Sequence, residues 1–227
     1  MAAEQPERIE FFFDIMCPYA FQTSRWIRQV QHEVGFDISW RFFSLEEINR
    51  EEGKPHPWER DFAYGWSPMR VAAWLRRHSE DWCGRFYSAC GHAFHVEGVR
   101  HYERETAMDI LAEHDLPAEA WDEALADPTT SDEVRADHEH AVRDLAAFGV
   151  PLITIPGGRP VFGPVVLPTP GPERARELWD ITLAYSRFPG LFELKTPKTD
   201  ADMQMIGTIF SPYLTARQWR TVQNPAR

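Results

Sequence analysis

Between Arg8 and Phe13, the apolar residues Ile9, Phe11 and Phe13 alternate with Glu10 and Phe12, the two-residue period of a strand. Phe12 makes the second face apolar too, as in a strand covered on both sides. Asp14-Ile15-Met16 is a short connection, and Pro18 suits the first turn of a helix, where its missing N–H costs nothing. Ala20, Ser24, Ile27, Val30 and Val34 follow at helical spacing until Gly35, a residue type favoured just past a helix end. Phe36, Ile38, Trp40 and Phe42 alternate with Asp37, Ser39 and Arg41, which predicts a second strand. Strand, helix and strand within about 35 residues make a βαβ unit, with a parallel pair and a right-handed crossover.

From about Trp58 to Phe148 the period becomes helical. Trp82, Phe86, Ala89, Cys90 and Ala93 form one stripe, and Ala107, Ile110, Leu111 and His114 another, stopped by Leu116-Pro117. Thr130 and Glu133 predict a capping box ahead of Val134, His138, Ala141, Leu145 and Phe148, with Gly149 closing that helix. Strand character returns at Leu152-Ile153-Thr154-Ile155. Pro156-Gly157-Gly158-Arg159 is turn chemistry, after which Pro160-Val161-Phe162 pairs back as a hairpin. A last helix follows Pro172, with Ala175, Leu178, Trp179, Thr182 and Leu183 on one face. Beyond Phe188, prolines are many and periodicity is weak. The order predicts an α/β fold: a thioredoxin-like core (βαβ…ββα) in residues 1–57 and 149–190, a large α-helical insertion in 58–148, and a C-terminal extension in 191–227.

At 227 residues, 43% hydrophobic and 26% charged, the chain can bury a sizeable core, and 15 Phe, 9 Trp and 6 Tyr supply its bulk. A formal charge of -11 disfavours nucleic acid and anionic membranes as partners. No apolar run is long enough to cross a bilayer, and residues 1–10 carry Glu4 and Glu7 without an apolar signal segment. The expectation is a soluble, cytoplasmic protein. Three cysteines in that setting do not suggest a disulfide framework, so each has to be weighed by itself.

Cys17 stands at the strand-to-helix turn, where the positive end of the helix and its free N–H groups favour thiolate, the nucleophilic form. The alternative is a buried cysteine acting as a small hydrophobe. Val150-Pro151 immediately precedes the third predicted strand; a proline there is either an ordinary strand start or a cis-proline. In a thioredoxin-like core a cis-proline loop lies beside the reactive sulfur, and Val150 would offer backbone groups to a bound partner. Cys83 and Cys90 lie on one predicted helix with Cα atoms ~10 Å apart, too far for a disulfide with each other. Either could serve as a resolving thiol only if the helical block folds over Cys17. Trp66 sits in a Gly-Trp-Ser-Pro stretch that reads as a loop, a candidate pocket wall for an apolar or aromatic substrate. The nine histidines show no zinc-ligand spacing with a matching second pair. There is no Gly-rich phosphate loop or dinucleotide fingerprint, so neither a metal nor a tightly bound cofactor is expected.

The chain resembles the DsbA-like thioredoxin-fold proteins through Cys17-Pro18-Tyr19 and Val150-Pro151, and more closely the actinobacterial mycothiol-dependent nitroreductase branch. The segments that carry the closer likeness run from Phe13-Asp14 through Cys17-Pro18, then Thr23-Ser24-Arg25-Trp26-Ile27, Phe162-Gly163-Pro164-Val165, Leu178-Trp179-Asp180 and Phe192-Glu193-Leu194-Lys195. The resemblance implies a thioredoxin core with a helical insertion, a low-molecular-weight thiol such as mycothiol as cosubstrate, and a homodimer. Its partners would be that small thiol and a small electrophile or disulfide.

The branch commonly carries a second cysteine three residues after the first; this chain has Ala20 there. A C-x-x-C pair resolves its own mixed disulfide, and Ala20 cannot, so an external thiol would have to release an adduct from Cys17. The first reading is therefore a monothiol oxidoreductase, with Cys17 catalytic, Pro18, Tyr19 and Ala20 supporting it, and Val150, Pro151 and Trp66 holding the partner. The second is a transferase or isomerase similar to kappa-class glutathione transferases and hydroxychromene-carboxylate isomerases, in which the group at position 17 activates a bound thiol. The third is a non-catalytic thiol- or partner-binding module.

Overall fold

β1 (Arg8–Phe13) carries three consecutive phenylalanines, Phe11, Phe12 and Phe13, all fully buried, so both of its faces are covered. The computed structural model describes residues 6–217. A connection of four residues, Asp14 to Cys17, leads into α1 (Pro18–Val34), which opens with Pro18 and ends at Gly35. Gly35 has φ 86, a left-handed conformation that needs no Cβ, and its N–H caps Gln31 O at 2.8 Å. β2 (Asp37–Phe42) returns parallel to β1, with Phe11 opposite Trp40 and Phe13 opposite Phe42.

The short α2 (Leu45–Ile48) follows, and the insertion then comprises α3 (Trp66–His78), α4 (Glu80–His92), α5 (Arg104–Glu113), α6 (Ala120–Ala126) and α7 (Pro128–Asp144). β3 (Leu152–Thr154) and β4 (Val161–Phe162) complete the sheet, followed by α8 (Pro172–Arg187) and α9 (Asp200–Ala216). The strand order is β2-β1-β3-β4, with β3 antiparallel to β1 and β4 antiparallel to β3. This is the expected thioredoxin-like core. Phe13 stacks on Tyr87 of α4 with centroids 3.8 Å apart, while Phe12, on the other face, approaches His140 of α7. Trp26 of α1 donates from Nε1 to Ala175 O at 2.9 Å and so ties α1 to α8. The hydrophobic core runs without a break from the sheet into α3, α4, α5, α6 and α7. The insertion is thus packed into the core it interrupts.

Three expectations change. Asp127, not Thr130, caps α7: its carboxylate accepts Thr129 N–H at 2.9 Å, and the buried Thr130 hydroxyl donates to Ala124 O at 2.7 Å. The cap lies earlier because Pro128 already suits the first helical position. That helix ends at Asp144, with Ala146 at φ 54, so Gly149 does not close it and Phe148 projects outward, 70% exposed. The third concerns the extension, which holds a full helix. Thr199 and Asp202 make a reciprocal capping box, and Ile206, Phe210 and Tyr213 follow at helical spacing on its buried face. Pro197 lies before that helix and Pro212 within it, which is why a proline count obscures it.

Gly91 of α4 lies against α1: a Cβ there would stand 2.2 Å from Phe21 Cδ2. Gly91→Ala is expected to lower stability by about 1–3 kcal/mol in urea unfolding. An unchanged midpoint would mean that Phe21 yields and that the α1–α4 contact is looser than described.

Candidate active site

The end of β1 and the start of β3 are held together by the ladder, with Phe12 opposite Leu152. The connections that leave these two strand ends, Asp14 to Cys17 and Val150-Pro151, are therefore neighbours. The Val150–Pro151 bond is cis, as are Gly163–Pro164 and Leu167–Pro168. Pro151 O accepts Gly163 N–H at 2.8 Å, and Pro164 O accepts the Thr23 hydroxyl at 2.8 Å, so these loops are fastened to each other and to α1.

Cys17 is the N-cap of α1. Its backbone is extended (φ -82, ψ 113), its N–H donates to Asp14 O at 2.9 Å, and its Sγ accepts the Ala20 N–H at 3.4 Å. The thiol donates to Val150 O at 3.7 Å. Cys17, Pro18, Tyr19, Ala20, Val150 and Pro151, all singled out from the sequence, thus meet in one place. Ala20 is fully buried and offers its amide to the sulfur but no second thiol.

The electrostatics run against the sequence expectation. Cys17 is only 4% exposed, and burial pushes its thiol up to about 12, with the nearby Asp14 adding to the rise. The Ala20 N–H lowers it, as a helix start should, but one helix-end dipole does not offset the loss of water around a thiolate. The conformation described is that of a protected neutral thiol. Asp14, also buried, accepts Met16 N–H at 2.8 Å and Leu45 N–H at 2.7 Å, which fixes the connection that delivers Cys17. Burial raises this carboxyl to about 6 against the pull of those two N–H groups.

The roof of the site comes from outside the core. Tyr19 meets Phe210 of α9 edge-on at 4.9 Å. His95 lies in a single wide helical turn, Ala93–Glu97, that follows α4. It stacks on Phe21 at 5.2 Å, touches Tyr213 at 5.3 Å and places Nε2 3.4 Å from Ile15 O. His101 is completely buried beside Phe94 and Tyr102. Burial pushes both imidazoles down to about 3.

Trp66 is placed differently from expectation. It opens α3 rather than sitting in a loop, is 2% exposed, packs on Trp58 at 5.2 Å, and donates its indole N–H to Ser131 of α7 at 2.9 Å. A buried indole N–H needs an acceptor, and Ser131 supplies it within the packing of α3 on α7. Cys83 and Cys90 are buried in α4 as free thiols, pushed up by desolvation. Among the described residues no three His, Cys, Asp or Glu side chains are grouped to hold a metal. Asp14, His95, His101, Phe210 and Tyr213 are not among the site residues expected from the sequence. The capping-box spacing of Thr199 and Asp202, with Ile206, Phe210 and Tyr213 after it, was the signal for the last two.

A family model for Rv2466c-like proteins, described as mycothiol-dependent nitroreductase Rv2466c, matches residues 16–196. Rv2286c of Mycobacterium tuberculosis (strain ATCC 25618 / H37Rv), described as an uncharacterized protein, is 43% identical over 214 residues, covering 94% of this chain and 92% of that protein. Among solved structures, the cytosolic disulfide reductase DsbM from Pseudomonas aeruginosa aligns with a TM-score of 0.56 at 16% identity, over 78% of this chain and 98% of that one. A 2-hydroxychromene-2-carboxylate isomerase aligns with a TM-score of 0.57 at 14% identity, over 79% of this chain and 95% of that one. At such identities these two structures show a shared fold.

The buried imidazoles make a pH prediction. Their folded pKa values lie below the ordinary value of 6.5, so their contribution to stability is complete above that pH and is lost as pH falls toward about 3. Asp14, raised, works in the opposite sense and weakens the fold as pH rises toward about 6, but over a smaller span. Net stability should fall on acidification from pH 7 to 5, by at most about 1.4 kcal/mol per pH unit for each imidazole. His101→Phe should flatten that dependence in urea titrations at several pH values; an unchanged slope would show that His101 is hydrated in the fold.

Proposed function

The chain belongs to the Rv2466c-like family, whose model covers most of its length, and from that premise we propose that it is a thiol-dependent oxidoreductase working through Cys17 alone, with a low-molecular-weight thiol such as mycothiol resolving the adduct. The observation that carries this reading is Cys17 at the start of α1, beside the cis Val150–Pro151 bond, with the Ala20 amide rather than a second sulfur against it. In the proposed cycle the Cys17 proton leaves to solvent and the thiolate attacks one sulfur of a disulfide. A new S–S bond to Cys17 forms as the old one breaks, and the other sulfur departs as a thiolate that takes up a proton. A small thiol, as its thiolate, then attacks the mixed disulfide, restores the Cys17 thiolate and leaves joined to the half that Cys17 had held. Exchange of that product with a second small thiol frees the half as a thiol and yields the small-molecule disulfide. Two small thiols are oxidised for each disulfide reduced.

In this scheme Val150 O and the cis-proline loop align the incoming sulfur, Pro18 fixes the first turn, and Tyr19 bounds the rim. Trp66 stiffens the insertion behind the site. No helix among the described residues is long and apolar enough to cross a membrane, which accords with a proposed cytoplasmic setting, where reduced thiols are abundant.

One observation favours a second reading. The Cys17 thiol is buried, protonated and a hydrogen-bond donor. A group of that kind can stabilise the thiolate of a bound cosubstrate without forming a bond to it, the chemistry of a transferase or isomerase on this architecture.

Intact-mass analysis after incubation with oxidised mycothiol, with Cys17→Ser as control, separates the readings. A single thiol adduct that the control lacks and that reduced mycothiol removes is the expected result. Saturable mycothiol binding without an adduct would overturn the redox cycle in favour of thiol activation, and neither binding nor adduct would leave a non-catalytic module. Ala20→Cys is expected to shorten the adduct's lifetime, because the introduced thiol can displace the adduct by forming an internal disulfide with Cys17, read in the same mass experiment.

A further inference from the structure

The family match ends at residue 196 and α9 begins at Asp200, yet α9 lies over the residues that flank Cys17. Met16 and Tyr19 both pack against the cluster formed by Phe94, Tyr102, Ile206, Phe210, Tyr213 and Ala216. This small cluster adjoins the main core through Met16 and Tyr19, which pack against both, so α9 adds a second apolar contact rather than completing the first. A segment joined to the rest by so limited an interface can leave while the sheet and its helices stay folded. The fit itself is specific: Gly98, at φ +73, brings its backbone so near α9 that a Cβ would lie 3.3 Å from Pro212 O, and Arg100 Nε donates to Ala216 O at 2.9 Å.

Next to α9, where His95 meets Tyr213, lie two buried imidazoles with unmatched ring nitrogens. Neither ring nitrogen of His101 has a hydrogen-bond partner among the described residues, nor does Nδ1 of His95, and both rings are buried. Buried polar atoms are nearly always paired, so these ring nitrogens call for water or a polar ligand as partners. His95 lies between Phe21 of α1 and Tyr213 of α9, so withdrawal of α9 uncovers it, and Phe94 links it to His101.

We propose that α9 is a lid on Cys17: docked through Phe210 and Tyr213 it shuts the thiol in, and released it opens Cys17 together with the His95 and His101 surface to a small polar thiol. The lid concerns access to Cys17 and holds whether that thiol forms a bond or only activates one. It also makes the resting state inert, which matters for a lone cysteine that has no second thiol to rescue it from oxidation.

The test is the rate at which iodoacetamide alkylates Cys17 in the full chain, a reaction in which the sulfur bonds to the CH2 carbon and iodide leaves. The rate is read by peptide mass, with Cys17→Ser as control and hydrogen exchange followed in parallel. Phe210→Asp should speed α9 amide exchange and raise the Cys17 rate by at least about tenfold, with β1 amides still protected. Faster α9 exchange with an unchanged Cys17 rate would overturn the lid, as would a Phe210→Asp chain in which α9 stays protected. Should that variant unfold, the unaltered chain decides in low urea: Cys17 alkylation that tracks α9 exchange supports the lid, and alkylation that tracks β1 exchange, and so global unfolding, refutes it. Because iodoacetamide needs no mycothiol site, failure here is distinct from failure of the redox cycle.

Discussion

The antiparallel ladder between β1 and β3, with Phe12 opposite Leu152, is the constraint from which the site follows. Two connections that are far apart in the chain leave adjacent strand ends, and the chemistry lies between them. One delivers Cys17 at the start of α1; the other delivers Val150 and the cis-proline. The buried phenylalanines of β1 make a slip in this register costly, because shifting the strand by one residue would exchange the contents of its two faces. Asp14 adds a local brace, since its two oxygens hold Met16 and Leu45 while the sulfur is brought to the helix end.

What the sulfur does there is decided by a contest between two effects. The helix start and the Ala20 N–H favour a charged sulfur, and the absence of water favours a neutral one. With the site closed, desolvation wins. Access and reactivity are consequently one property: water or ligand reaching Cys17 would both expose the sulfur and ease its ionisation. The same reasoning applies to His95 and His101, which are neutral because they are dry. The elements over the site therefore set its chemistry as much as those that form it.

The insertion has a different part. Its helices share the main core, and Arg76 of α3 joins strand and helix by donating to Trp40 O at 2.9 Å and to Asp137 of α7 at 2.5 Å. Such an embedded block stiffens one side of the site, and Trp66 belongs to that packing. α9 rests on its own small cluster. The two neighbours of the thiol thus differ in how strongly they are tied down, which is the physical basis for assigning movement to α9 rather than to the insertion.

Much of the architecture was legible in the sequence because it rests on short-range rules. Alternation marked β1 and β2, Pro18 and Gly35 bounded α1, and the position of Cys17 between a strand and a helix named the candidate sulfur. The alanine at position 20 was visible by inspection, and with it the lack of a resolving thiol in the motif. The helix of the extension is harder to read, because Pro197 ahead of it and Pro212 within it mask a capping box and three apolar residues at helical spacing. The end of α7, the placement of Trp66 and the state of the thiol were not legible at all. A helix dipole can be inferred from a turn, but desolvation depends on what packs around the sulfur, and part of that packing, Phe210 of α9 against Tyr19, comes from almost 200 residues further along the chain. Local periodicity and backbone chemistry therefore determined where Cys17 lies; long-range packing alone decided whether water reaches it.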